Sequence, residues 1–439
     1  MSQLSRRKFL FTASATTAAT LLLNSCSGGS EAPTETTSSA AAPGPVAEGP
    51  TPEVTTAKLG FIALTDSAPL IIAKEKGIFA KYGMPDVEVL KQASWGTTRD
   101  NLVLGSGGGG IDGAHILTPM PYLMTTGAIT DGRQVPMNIL ARLNVDGQGI
   151  SVAEKYKELG VQLDSSLLMD NVEQAKAAGD QMKFAVTFPG GTHDLWMRYW
   201  LAAGGINPDT DVSTIVVPPP QMVANMKTGT MDAFCVGEPW NAQLISQGVG
   251  YSAVTTGQLW NNHPEKALSV RADWVEQNPN AAKALLMAVQ EAQMWCEQAE
   301  NKTEMATILS KRAWFNVPAA DIEDRAKGTF DFGDGRVEQS SEHVMKFWDD
   351  SISYPFKSHD LWFLTENMRW GYLPADTDIV ALVDQVNRED LWKEAATALG
   401  QEAAIPDSTS RGVETFFDGI EFDPENPMAY LDAVAIKKA

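Results

Sequence analysis

The chain is poor in cysteine, with three in 439 residues. They are Cys26, Cys235 and Cys296, too few and too far apart for a disulfide framework or a zinc pattern. Cys235 sits in the apolar run AFCVG and reads as a small buried hydrophobe. Histidine is also scarce, with five at positions 115, 193, 263, 343 and 359. No HExxH, CxxC or GxSxG occurs, so the local signatures of zinc hydrolases, dithiol redox proteins and serine hydrolases are missing. Basic residues are outnumbered, 34 Lys and Arg against 55 Asp and Glu, for a formal charge of -21. Such a surface repels nucleic acid and acidic membrane surfaces. Any anion this protein binds must be held by local donors against the overall field. No apolar run reaches the roughly 20 residues that a membrane-spanning helix needs.

What is present begins at the N-terminus. Ser5-Arg6-Arg7-Lys8-Phe9-Leu10 is a paired-arginine export signal. A short apolar run, Ala18 to Leu23, follows it as in a signal peptide. Leu23-Asn24-Ser25-Cys26 has the form of a lipobox. Cleavage there removes residues 1–25 and leaves Cys26 as a lipid-carrying N-terminus, anchored to a membrane without spanning it. The removed segment carries Arg6, Arg7 and Lys8 and no acid, so the formal charge of the remainder falls from -21 to -24. Residues 26–56 are rich in Ser, Thr, Ala, Pro, Gly and Glu and hold no aromatic residue, the composition of a disordered tether.

From Lys58 onward, short β-like runs alternate with helical stretches. The strands are expected at 58–64, 86–91, 110–116, 136–143, 184–188, 212–217 and 231–236, with helices near 192–203, 219–228 and 238–247. Asp66 or Ser67 is the expected N-cap of the first helix, with Pro69 in its first turn and Gly77 as its stop. The later third, from about Ala272, is mainly helical, and 280–298 is its clearest amphipathic segment. The pattern predicts an α/β architecture with mostly parallel strands. The run from Gly105 to Gly110 lacks the Lys-Ser/Thr ending of a phosphate loop and precedes a strand, so it reads as a helix-to-strand turn.

Anion binding is the chemistry these residues favour. In TFPGGTHDLWMRYW, His193 follows Gly190-Gly191-Thr192 at a helix start. The first backbone N–H groups of a helix lack internal partners and attract anions, and an imidazole there adds a donor. Thr192 could equally well just cap the helix while His193 packs outward. In HPEKALSV, Glu265 and Lys266 would point to opposite faces of a strand, so only one would meet a cleft. A buried lysine without a partner is costly, and a bound anion relieves that cost; two solvated loop charges are the plain alternative. Trp95 beside Gly96 could lie against a planar ligand, Gln148 between two glycines could offer an amide, and Gly237 in VGEPW could present a backbone N–H. Each of these three also has an ordinary packing or turn role. A metal site on His193 would need further ligands that its neighbours do not supply.

The lipobox, the tether, KLGFIALTDSAPLIIAKEKGIFAKYG, KQASWGTTRDN, TFPGGTHDLWMRYWLAAGGINPD, VGEPW and SRGVETFFDG together resemble the nitrate- and bicarbonate-binding lipoproteins of cyanobacterial ABC importers. The resemblance implies a two-lobed periplasmic-binding-protein clamp of type II, C-shaped, with extra C-terminal helices. Its expected parts are a signal peptide (1–25), a lipidated tether (26–56), lobe I (57–145), lobe II (146–265), and the rest of lobe I with the helical region (266–439). It also implies binding of a small anion and delivery to a membrane permease with ATPase subunits, with no cofactor and no resident metal. The expected state is a lipid-anchored monomer on the periplasmic face of the plasma membrane. By that likeness the nitrate pocket would comprise Trp95, Gln148, His193, Gly237 and Lys266.

Within the family the choice of ligand follows from charge. Nitrate only accepts hydrogen bonds, so a pocket of lysine, histidine and amide donors suits it, and suits nitrite by the same argument. Bicarbonate members are expected to carry Glu at the Lys266 position and to use calcium, since a carboxylate facing an anion requires a cation between them. Lys266 and His193 favour nitrate, unless register brings Glu265 or Glu238 into the cleft. A membrane-tethered enzyme or an anion sensor on the same fold are the alternatives of another class, because fold alone does not settle function.

Overall fold

The computed structural model describes residues 51–437. The signal peptide, Cys26 and the first part of the tether lie outside the described residues. The end of the tether, 51–56, lies against the folded body. The Glu53 carboxylate accepts the backbone N–H groups of Asn280 and Ala281, and the Thr55 hydroxyl donates to Asp86. Glu53 thereby satisfies two free donors at the start of the helix Pro279–Glu297.

Two five-stranded sheets organise the chain. The first uses β1 (Lys58–Phe61), β2 (Glu88–Lys91), β3 (Gly113–Leu117), β4 (Met137–Val145) and β10 (Pro264–Arg271), in the order β2-β1-β3-β10-β4. The second uses β5 (Gln148–Ala153), β6 (Lys183–Val186), β7 (Ser213–Val216), β8 (Ala233–Gly237) and β9 (Gly250–Thr255), in the order β7-β6-β8-β5-β9. The chain passes from the first sheet to the second through Asp146-Gly147, and returns through residues 256–263.

The expectation of mostly parallel strands is corrected. Of the eight strand pairings in these two sheets, four are parallel and four antiparallel. All the antiparallel pairings involve β5 or β10, the strands that open after each crossing. Sequence reading missed β5 and β9. β5 opens on Gln148 between Gly147 and Gly149, which reads as a turn, and β9 opens on Gly250, which weakens a strand signal.

The glycine run after the helix Trp95–Leu104 does lie in a turn before β3. Gly105 and Gly109 take positive φ, and a Cβ at Gly110 would fall 2.0 Å from the Asn101 carbonyl oxygen.

The helical third packs on both sheet units. The helix Pro279–Glu297 lies along the helix Ala68–Glu75 beside the first sheet. The helix Lys357–Arg369 packs on the helix Thr192–Ala203 beside the second, with Trp362 stacked on Trp196 at 4.9 Å. A buried ion pair between Arg142 on β4 and Asp360 ties the same helix to the first sheet. The segment around Phe416 closes over the return crossing: Phe416 meets Trp260, and the Phe417 N–H donates to the Leu259 carbonyl. No helix among the described residues is long and apolar enough to cross a membrane.

Candidate functional site

The two crossings bring β5 and β10 together with the start of the helix Thr192–Ala203, and a cluster of buried polar groups lies there. Lys266 is central. Its side chain is fully buried, with Nζ 2.9 Å from Asp66 Oδ2 and 2.7 Å from Glu265 Oε1. Removing three charges from water is costly, so such a group persists only where hydrogen bonds satisfy it. Burial would lower the ammonium pKa, but the charges of Asp66 and Glu265 outweigh burial and raise it, so Lys266 is cationic.

A chain of hydrogen bonds fixes the other orientations. Gln148 Nε2 lies 3.0 Å from Asp66 Oδ2, an acceptor, so the amide nitrogen donates there. The Gln148 oxygen therefore faces His193 Nε2, at 2.6 Å. An amide oxygen only accepts, so His193 carries its proton on Nε2. Its Nδ1 then accepts from the Thr187 hydroxyl, at 2.6 Å. Burial, and next the charge of Lys266, push the His193 pKa well below the ordinary histidine value. His193 is thus a neutral donor aimed at the Gln148 oxygen. On the other side of Asp66, His115 Nε2 lies 2.5 Å from Oδ1. Burial works against ionisation of Asp66, but the charge of Lys266 and the hydrogen bond from His115 prevail and hold its carboxyl far below the usual range.

Local sequence explains these placements. Gly191 stands at the N-cap, and the Asp194 side chain accepts the Gly190 N–H at 2.8 Å. Thr192 and His193 are therefore free to turn inward: Thr192 does not cap its helix but donates its hydroxyl to Glu265. Ser94 caps the helix Trp95–Leu104, accepting the Thr97 N–H, and sets Trp95 at its first position. The Trp95 ring is buried, 5.9 Å from Lys266 Nζ and 5.4 Å from the His115 ring. Its indole N–H and the Thr65 hydroxyl have no hydrogen-bond partner among the described residues. Gly237 pairs with Gln148 across β8 and β5, and a Cβ there would sit 2.5 Å from Gln148 Oε1. The structure thus gathers Trp95, Gln148, His193, Gly237 and Lys266 in one place.

Two expectations need correction. Glu265 and Lys266 do not point to opposite faces. The register of β10 against β4 shifts between Pro264 and Lys266, leaving Glu265 as an extra residue in a bulge. The bulge turns both side chains into the same cluster. Of the two caps expected for the helix Ala68–Glu75, Ser67 holds the N-cap position, without a side-chain hydrogen bond, and Asp66 does not; it lies in a short 3-10 turn, Thr65–Ser67, and its carboxylate belongs to the cluster. Glu238 is buried but engaged elsewhere, with Arg325 at 3.6 Å and the Ala242 N–H at 3.1 Å. Sequence reasoning missed Asp66, His115 and Thr187. Asp66, in the turn after β1, meets His115 only because β1 pairs with β3, which no local spacing reveals.

The cluster combines a fixed cation, a neutral imidazole donor, an amide and an unpaired indole N–H. That set can hold a small hydrogen-bond-accepting anion. Two sheet units joined by two crossings, with such a site at the crossings, define a solute-binding protein.

Comparison with known proteins agrees. The NMT1-like family profile matches residues 50–310. The nitrate/nitrite binding protein NrtA of Nostoc sp. is 64% identical, over 100% of both chains. The bicarbonate-binding protein CmpA of Synechococcus elongatus is 46% identical, over 99% of this chain and 98% of its own. The crystal structure of the periplasmic nitrate-binding protein NrtA from Synechocystis superposes with a TM-score of 0.86 and 68% identity, covering 88% of this chain and 100% of the other. The chain belongs to the NMT1-like family and, within it, to the NrtA and CmpA group of solute-binding proteins. It is a binding protein and not an enzyme.

Proposed function

We propose that this protein binds nitrate, and nitrite by the same chemistry, in the cluster around Lys266, and delivers it to the permease of an ATP-driven importer. The observation that carries the reading is a buried lysine ammonium beside a neutral His193 donor and an unpaired Trp95 N–H. Trp95, Gln148, His193, Gly237 and Lys266 form the pocket in this reading. Lys266 supplies charge, His193 and Gln148 supply N–H groups that turn to the anion from Gln148 Oε1 and Asp66, which hold them in this structure, Trp95 adds a donor, and Gly237 leaves room for Gln148. The protein acts as a monomer in the periplasm, tethered through lipid on Cys26, so that it stays near the permease it serves.

Glu265 is the one observation on the side of a calcium-assisted bicarbonate site. Its two carboxylate oxygens, however, face N–H and O–H donors. Lys266 and Thr192 donate to Oε1, and the Trp196 indole N–H to Oε2 at 3.1 Å. Donors on both oxygens oppose a cation there, and Lys266 already supplies the positive charge. The relatives divide the same way, 64% identity to the nitrate protein against 46% to the bicarbonate protein. Calorimetric titration of the full-length protein with nitrate, then with bicarbonate with and without calcium, tests the reading. Saturable one-to-one nitrate binding is expected. Calcium-dependent bicarbonate binding without nitrate binding would overturn it.

A further inference from the structure

A site for a monovalent anion that contains two carboxylates poses a charge problem. The groups facing Glu265 come from every element around it. Lys266 is on its own strand, and Asp66 comes from the Thr65–Ser67 turn. His193, 3.6 Å from Oε1, comes from the helix Thr192–Ala203, and His263, 3.7 Å from Oε2, from the return crossing. His115 on β3 reaches it through Asp66, and Cys235 lies on β8. Burial pushes down His193, His115 and His263, the last to about 3, and pushes the Cys235 thiol up. These groups are therefore neutral. With both carboxylates ionised, one ammonium faces two negative charges, for a net charge of -1. An arriving nitrate would make it -2, among side chains that solvent does not reach. Without water to screen them, like charges at such distances repel strongly.

Protonating one carboxylate relieves the conflict, and the geometry selects Glu265. Both carboxylates hold donors on both oxygens and share Lys266, but the other partners of Asp66 are the N–H groups of His115 and Gln148, whereas Glu265 Oε1 faces the Thr192 hydroxyl, which can turn round and accept a carboxyl proton. Glu265 shares its strongest donor, the Lys266 ammonium, with whatever anion that ammonium binds. Burial already holds the Glu265 carboxyl above its ordinary value, despite Lys266 and Thr192. When the anion draws on Lys266, Oε1 loses part of that donor and becomes the place for a proton.

We infer that Glu265 is a proton-binding site of this pocket: one proton from solvent joins its carboxylate as nitrate binds, so the species taken up is the anion together with a proton. The inference rests on the nitrate reading above. It makes affinity depend on pH by linkage, falling about tenfold per pH unit wherever one proton is taken up per anion.

The test is calorimetric titration of the full-length protein with sodium nitrate in buffers of low and high ionisation enthalpy, at several pH values above the ordinary glutamate pKa, because burial raises the Glu265 carboxyl. The heat is expected to change with buffer ionisation enthalpy, with a slope approaching one proton taken up per nitrate. Glu265→Gln, which is neutral at all pH, is expected to bind nitrate with no such slope. Nitrate binding by the parent with zero slope at every pH would overturn the inference and leave the nitrate reading standing. An unchanged slope in Glu265→Gln would also overturn it, since the proton would then be landing elsewhere. Absence of any nitrate binding would remove the underlying reading and this inference with it. The parent titration decides the matter even if Glu265→Gln folds poorly.

Discussion

The ammonium of Lys266 lies 2.9 Å from the carboxylate of Asp66, and neither side chain is exposed to solvent. A pair like this is a poor source of stability, because desolvation cancels much of its attraction. Breaking it is a different matter, since the survivor is left as an uncompensated buried charge. Lys266→Met keeps the stem and removes the charge, which strands Asp66. A loss of about 3–5 kcal/mol in unfolding free energy is expected, together with loss of nitrate binding. Denaturant unfolding and calorimetry on the same preparation check both. Retained nitrate affinity in a folded Lys266→Met protein would place the pocket elsewhere.

His193 is expected to act as a donor and not as a charge. Its Nε2 proton follows from Gln148, whose orientation is set by Asp66. In His193→Ala the Gln148 oxygen and the Thr187 hydroxyl both lose their partner. Removal of one hydrogen bond to a charged ligand costs about 1.5–3 kcal/mol, so nitrate affinity should fall roughly 10- to 150-fold. Because burial holds the His193 pKa well below the ordinary histidine value, an imidazole titration should not appear near neutral pH. Histidine NMR shifts followed between about pH 6 and about pH 8 check this. A His193 ring that titrates in that range would contradict the tautomer assigned from the hydrogen-bond chain.

The helix at His193 was expected at 192–203 and is found at Thr192–Ala203, because a glycine pair and an apolar helical face mark it locally. The strand carrying Gln148 is not legible, because the glycines on either side of Gln148 read as a turn. The position of Glu265 could not be read at all. A bulge depends on the partner strand β4, and one extra residue reverses which face every later side chain takes. Asp66 and Ser67 are both cap candidates by sequence, and Ser67 holds the N-cap position. The actual partners of Asp66 (His115, Gln148 and Lys266) come from three other strands.

Gly237 tests the steric part of the site. Its ideal Cβ would lie 2.5 Å from Gln148 Oε1 and 3.1 Å from a Leu64 methyl. In Gly237→Ala the Gln148 amide must shift, which disturbs the link from His193 to Asp66. Overpacking of this kind costs about 1–3 kcal/mol, and nitrate affinity is expected to drop along with it. Gly107→Ala is the control, since a Cβ there meets nothing within 4 Å. Equal affinities for Gly237→Ala and Gly107→Ala would mean that Gln148 has no part in the pocket.

Asp146 marks the first crossing between the sheets, with φ of 55° and both carboxylate oxygens lacking a hydrogen-bond partner among the described residues. Burial raises its pKa to about 8, against the charges of Lys346 and Arg411. A carboxyl raised in the folded state contributes its stability in full below the unfolded value near 4. That contribution is lost progressively as pH rises, until the folded group itself ionises at about 8. Asp146→Asn removes the titration while keeping a residue that tolerates the left-handed conformation. The variant should match the parent near the unfolded carboxyl value and exceed it, on the order of a few kcal/mol, at about pH 8 and above. Thermal unfolding of both proteins across that range checks the sign. A stability gap that does not widen with pH would show that Asp146 is ionised in the native protein, with its charge stabilised at the crossing.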